Sequence, residues 1–153
     1  MSPDRPAVVD ARRVVVKVGS SSISGANTGQ ISPLVDALAA LHARGAEVIL
    51  VSSGAIATGM PFLHLDSRPN DLATQQAAAA VGQNLLMVRY QDSLDRYGLT
   101  AAQVLLTAGD LEHPTPRSNA QRAIDRLLGL RILPIVNEND TVATHEIRFG
   151  DND

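Results

Sequence analysis

Arg13-Val14-Val15-Val16-Lys17-Val18-Gly19-Ser20-Ser21 carries the decision about the fold. The run from Arg13 to Val18 is β-branched and short, so it reads as a buried strand that ends in a tight turn at Gly19. A lysine among valines is costly there, where the backbone should be most buried, unless it serves a ligand. The chain writes twelve of its 13 positive side chains as arginine, and Lys17 is its single lysine. A leftover lysine snorkelling from a strand end is the plain alternative to a functional one.

Working outward, Ser22–Gln30 reads as a loop, and Ile31–Arg44 places Ile31, Leu34, Val35, Leu38 and Leu41 at helical spacing with Gly45 as its C-terminal cap. Glu47–Val51 is a second strand, turned by Ser52-Ser53-Gly54 into a short helical start, Ala55–Thr58. Strand, helix, strand in that order predicts a right-handed parallel crossover. Met60–Pro69 reads as irregular, with Pro61 and Pro69 as breakers. Asp71–Tyr97 is a long alanine-rich helix in which Gly82 permits close approach of another backbone, and Gln75, Gln76 and Gln83 read as a solvated or interface face. Thr100–Leu106 is a third strand, Gly109–Ser118 a loop holding Pro114 and Pro116, Asn119–Leu128 a helix and Ile132–Val136 a fourth strand. Asn137–Thr141 then reads as a turn, and Val142–Phe149 as a hairpin pair. Strands alternating with helices predict an α/β fold, an αβα sandwich of three layers around a mainly parallel sheet.

Composition narrows the function. At 153 residues, 44% hydrophobic and a formal charge of −3 without a basic block, the chain fits one globular domain or a piece of a larger one, with small molecules rather than nucleic acid as partners. It has no cysteine, which excludes disulfides, thiolate metal sites and a cysteine nucleophile. No apolar run suggests a signal peptide or a membrane span, so the reading is cytoplasmic.

Three polar clusters follow the carboxyl ends of expected strands, the edge where such sheets bind ligands: Gly19–Ser21, Ser52–Gly54 and Asn137–Asp140. The two glycine-serine turns offer close backbone approach, hydroxyls and N–H groups suited to an anion, although such turns also serve purely structural ends. Lys17 beside the first adds a compact positive charge suited to a phosphate. Neither G-x-x-x-x-G-K-[ST] nor G-x-G-x-x-G occurs, which disfavours a P-loop or dinucleotide-binding domain. Asn137-Glu138-Asn139-Asp140, echoed by Asp151-Asn152-Asp153, suits a substrate ammonium, a metal or a lysine; an Asx-turn is the structural alternative. His42, His64, His113 and His145 lack ligand-like spacing and read as surface or loop residues.

Taken together, Val14–Ser21, Val51–Ala57, Gln75–Gln83, Gln103–Thr107, Pro134–Val142 and Phe149–Asp153 resemble the glutamate 5-kinase family of the amino-acid kinase fold, in the family's order and over nearly the whole chain. The resemblance implies ATP-dependent phosphorylation of the γ-carboxylate of L-glutamate with Mg²⁺, the first step of proline biosynthesis. It implies that Lys17, Gly19 and Ser20 meet the ATP phosphates, with Lys17 also catalytic. It further implies that Ser53, Gly54, Asp140 and Asn152 hold glutamate, and that Asp153 orients the catalytic lysines; no metal-ligating residue is assigned. A homo-oligomer packed through the Asp71–Tyr97 helix and proline as feedback inhibitor belong to the same picture.

Met60-Pro61-Phe62-Leu63-His64 departs from the more basic stretch expected after Gly59. The fold is expected to be incomplete here, with residues 1–12 a flexible lead and 13–153 the N-terminal part of the kinase domain. By the resemblance, the nucleotide-binding half, its second lysine and any PUA domain are expected to lie outside this sequence. The chain alone is therefore expected to be inactive and marginally stable. The rival readings are a kinase for N-acetylglutamate or aspartate, and a non-catalytic amino-acid-binding module.

Overall fold

The structure is a computed structural model and describes residues 12–138. The elements are β1 (Arg13–Val18), α1 (Ile31–Ala43), β2 (Glu47–Ser52), α2 (Ala55–Gly59), α3 (Leu72–Asp95), β3 (Ala101–Leu106), α4 (Ala108–Glu112), α5 (Pro114–Gly129) and β4 (Leu133–Glu138). All four described strands are parallel, in the order β1-β2-β4-β3. The expected α/β fold with a parallel sheet is present, and the hairpin expected over residues 142–149 lies outside the described residues.

Alternation along the strands sorts the two faces. Val14, Val48, Leu50, Leu133 and Ile135 share one face and bury against Ile31, Val35 and Leu38 of α1 and Ala78, Ala79, Leu86, Tyr90 and Leu94 of α3. Arg13 points to the opposite face and pairs with Asp125 of α5. Helices thus lie on both sides of the sheet, which gives the sandwich its third layer.

Several local expectations change. β1 is an edge strand among the described residues rather than a buried one: Val15 is 58% exposed and Lys17 is also exposed. It is covered on the α1 side and open on the other, where α5 lies against β3 and β4. Residues 109–118 are not a loop. Thr107 and Asp110 form a reciprocal capping box that starts α4, and Pro114 stands at the first position of α5, where its missing N–H costs nothing. β4 runs on through Asn137 and Glu138, so these residues end a strand instead of opening a turn. Residues 60–63 of the segment read as irregular form a short 3₁₀ turn.

Gln75 and Gln83 are buried, not solvated: Gln75 Nε2 donates to the Pro69 carbonyl at 2.7 Å, and Gln83 faces β4. Their register explains it. Gln75, Ala79, Gln83, Leu86, Tyr90 and Leu94 follow one another at three- and four-residue steps, so the glutamines sit in the inward stripe.

A less visible tie comes from Arg131, the turn residue before β4, held at φ +61°. Its guanidinium donates to the His42, Gly45 and Ala46 carbonyls, so a cation sits at the C-terminus of α1 and joins the third crossover to the first.

The tightest contact joins α2 and α3. A methyl group at Gly82 would overlap the Ala55 carbonyl, and one at Gly59 would overlap the Ala78 carbonyl. Gly82→Ala is therefore expected to lower stability by about 3 kcal/mol or more, because backbone on both sides must move apart. Gly29→Ala, whose new methyl meets nothing within 4 Å, should stay within about 0.5 kcal/mol of the parent. Denaturant midpoints of the two variants check this; equal midpoints would contradict it.

Candidate active site

The site forms where the strand ends meet. The connection leaving β2 passes to the α2–α3 side, and the one leaving β3 passes to the α4–α5 side. β4 emerges between β2 and β3. Chain departing to opposite faces leaves a crevice above its carboxyl end, the position at which open parallel sheets bind ligands.

Both glycine-serine turns border that crevice and touch each other. Gly19 precedes a 3₁₀ turn over Ser20–Ser22, closed by Ser22 N–H to the Gly19 carbonyl and Ile23 N–H to the Ser20 carbonyl. Gly54 adopts φ +107°, and a Cβ there would lie 3.2 Å from Ser20 Cα. Ser53 N–H donates to the Val18 carbonyl at 3.2 Å, and its hydroxyl reaches the same oxygen at 3.4 Å. The second turn is thus fastened to the end of β1 and leads directly into α2.

Beneath the turns, Ser52 Oγ lies 2.8 Å from the phenol oxygen of Tyr90, which is fully buried on α3. Burial pushes the Tyr90 phenol above its ordinary pKa, while the Ser52 bond pulls the other way. The phenol stays protonated at neutral pH and donates to Ser52, whose own hydroxyl is 3.3 Å from the Ser53 carbonyl. Tyr90 therefore steadies the turn from behind.

A cavity of about 240 Å³ opens at this edge, floored by Val51 and Val136 and lined by Lys17, Ser53, Asn137 and Glu138. A more open groove of about 590 Å³ lies on the other side of Lys17, along Gly19, Ser22, Asn27 and Gln30. Lys17 borders both spaces. Of the residues expected at the site, Lys17, Gly19, Ser20, Ser53 and Gly54 are brought together; Asp140, Asn152 and Asp153 lie outside the described residues. Among the described residues, no group of three His, Asp or Glu side chains is placed to hold a metal ion. What they offer is a lysine charge beside backbone turns, a combination suited to an anionic group. Nothing in the sequence reading singles out Tyr90, and Gln83 reads there as a solvated or interface residue; both support this edge from α3, and their place in the apolar register was the available signal.

Residues 12–153 match the amino acid kinase family. The chain is 78% identical to a glutamate 5-kinase of Clavibacter sepedonicus over 97% of its own length and 58% of that protein's. It is 77% identical to a glutamate 5-kinase of Leifsonia xyli subsp. xyli, covering 98% of this chain and 56% of the relative. A glutamate 5-kinase of Thermobifida fusca is 60% identical, covering 97% of the chain and 39% of the relative. The chain thus spans about half the length of the relatives it matches. No helix among the described residues is long and apolar enough to cross a membrane.

The contact between the turns makes a prediction. Gly54→Ala puts a side chain at a φ that L-residues rarely adopt and presses on Ser20, so it should cost about 1–3 kcal/mol. Adding Ser20→Gly removes only the Cβ part of the contact and should recover less than half of the loss. Thermal melts of the single and double variants test this; full recovery would show that crowding, not backbone strain, sets the cost.

Proposed function

The chain belongs to the amino acid kinase family, and from that premise we propose that the whole protein transfers the γ-phosphoryl group of ATP to the γ-carboxylate of L-glutamate, the first step of proline biosynthesis. The observation that carries the reading is the meeting of two glycine-serine turns and Lys17 at the carboxyl edge of a parallel sheet, beside a cavity lined by Asn137 and Glu138. The similarity to glutamate 5-kinases supports this acceptor over other acids.

A glutamate carboxylate is already ionised at neutral pH, so the reaction needs no general base. It needs two anions held in line and their repulsion offset. Bound ATP with its Mg²⁺ supplies the phosphoryl group and part of the charge neutralisation. Lys17, with the backbone of Gly19 and Ser20, is assigned to the phosphates. Ser53 and Gly54 are assigned to glutamate, together with Asp140 and Asn152, and Asp153 to orienting the lysines. A carboxylate oxygen forms the new P–O bond as the bond from phosphorus to the β–γ bridging oxygen breaks, and ADP leaves. Proline is assigned as a feedback inhibitor of the same reaction.

Incubating the complete protein with ATP, Mg²⁺, glutamate and hydroxylamine should yield γ-glutamyl hydroxamate. Product from N-acetylglutamate or aspartate, with none from glutamate, would sink the assignment. Lys17→Met should lower kcat about 100-fold or more, as loss of a charge aimed at the transferring group does. Lys17→Arg should not restore the rate, because a planar fork does not replace a compact ammonium.

α3 also presents an outward stripe of Ala77, Ala80, Val81 and Val88, with Val88 55% exposed. An exposed apolar helix face of this kind suits a second copy of the chain. Val88→Glu should reduce the mass of the complete protein by light scattering without changing its helical circular dichroism. An unchanged mass would count against pairing through α3.

A further inference from the structure

Tyr90 stands fully buried in the apolar stripe of α3, between Leu86 and Leu94, where a phenylalanine would fill the same space. Its phenol oxygen is the atom that needs a reason, because a buried hydroxyl without a hydrogen bond costs stability. Among the described residues its one hydrogen-bond partner is Ser52 Oγ, 2.8 Å away. The phenol proton therefore goes to Ser52, and the Ser52 proton is left for the Ser53 carbonyl at 3.3 Å. A relay of two hydroxyls thus runs from α3 to the Ser53 peptide.

The relay crosses from the core to the site. Ser52, the last residue of β2, pairs with Val18 and follows Val48 and Leu50 on the inward face of the strand. Ser53 is next and lines the cavity floored by Val51 and Val136. It is gripped from two sides: the Val18 carbonyl takes its N–H at 3.2 Å and its hydroxyl at 3.4 Å, while its own carbonyl takes the Ser52 proton. The hydroxyl contact is the longest of these and so the weakest, which leaves Ser53 Oγ the group best able to turn from Val18 to a ligand. The peptide that carries it is held while Ser52 keeps the one staggered rotamer that reaches the Ser53 carbonyl. A phenol donating from behind selects that rotamer.

We infer that Tyr90 is a positioning residue for the acceptor: through Ser52 it holds the Ser53 peptide and so keeps the Ser53 hydroxyl at the cavity wall, ready to donate to a substrate carboxylate. This rests on the proposed reading of Ser53 as a glutamate ligand. Tyr90 touches no reacting atom and acts through Ser52.

The test separates this role from plain stability. In the complete protein, Tyr90→Phe keeps the ring and removes the donor. It should raise KM for glutamate about fivefold, the usual effect of losing one hydrogen bond, and leave kcat and KM for ATP within about twofold. A purely structural loss would instead lower kcat through the folded fraction and move neither KM. Ser52→Ala should raise KM for glutamate by a similar factor, and on that background Tyr90→Phe should add nothing, since the two hydroxyls act as one unit. An unchanged KM for glutamate, equal rises in both KM values, or additive effects in the cycle would each overturn the inference.

Hydrogen exchange keeps failure of the reaction apart from failure of the relay. In Tyr90→Phe the Ser53 amide should lose about fivefold more protection than the Val48 and Leu50 amides. If the parent protein phosphorylates no acid and Ser53 still loses protection, the proposed reaction falls and the relay stands. Unchanged Ser53 protection overturns the relay.

Discussion

The contact between α2 and α3 at Gly59 and Gly82 is the constraint on which the site depends. Backbone meets backbone there, with no room for a methyl group on either side. Such closeness is available only to glycine, and it leaves little freedom to slide or rotate. α2 is short, and Ser52–Gly54 leads directly into it, so fixing α2 against a 24-residue helix also fixes the turn. The same long helix sends Tyr90 to Ser52 and Gln83 to Asn137. One rigid element thus sets the orientation of two strand ends, Ser52 and Asn137, that lie 85 positions apart in the chain.

Strand order completes what that packing begins. Because β4 enters between β2 and β3, its polar end is flanked by connections that leave in opposite directions. An all-parallel sheet buries its middle and leaves polar groups only at its ends, so Asn137 and Glu138 must find partners there or cost stability. Asn137 finds them in Gln83 and the Glu138 N–H. The crevice is a product of topology, and the amide chain is how topology is made compatible with burial.

The alternation of strands and helices, the glycine-serine turns and the role of Gly82 were legible because each leaves a local signature: β-branched runs, a helical period, a glycine where no side chain fits. β1 was misjudged because four valines in six residues look alike whether a strand is central or at an edge; neighbours settle that, and they are distant in sequence. Residues 109–118 were misjudged because two prolines outweighed a capping box, although proline is welcome in a first turn. Gln83 reads as a solvated or interface residue because an amide on an alanine-rich helix usually is one. Its partner lies 54 residues away, on a strand whose position in the sheet no local pattern reveals. Arg131 is a similar case, since its bonds to the end of α1 span 85 to 89 residues.

The exposure of Lys17 bears on how a positive charge is kept ready at such a place. In the middle of the sheet an ammonium would have to be desolvated or paired, and burial would favour its neutral form. At the edge of the described sheet the backbone is held from one side by β2, in register from Arg13–Glu47 to Val18–Ser52, while the side chain stays exposed. The charge is positioned without being buried. Lys17 stands between the cavity that reaches Asn137 and the groove that runs along Gly19 and Ser22. In the proposed reaction, full desolvation of the ammonium then coincides with arrival of the phosphate. The cost of desolvating the ammonium falls on the bound state, where an anion offsets it, and not on the fold.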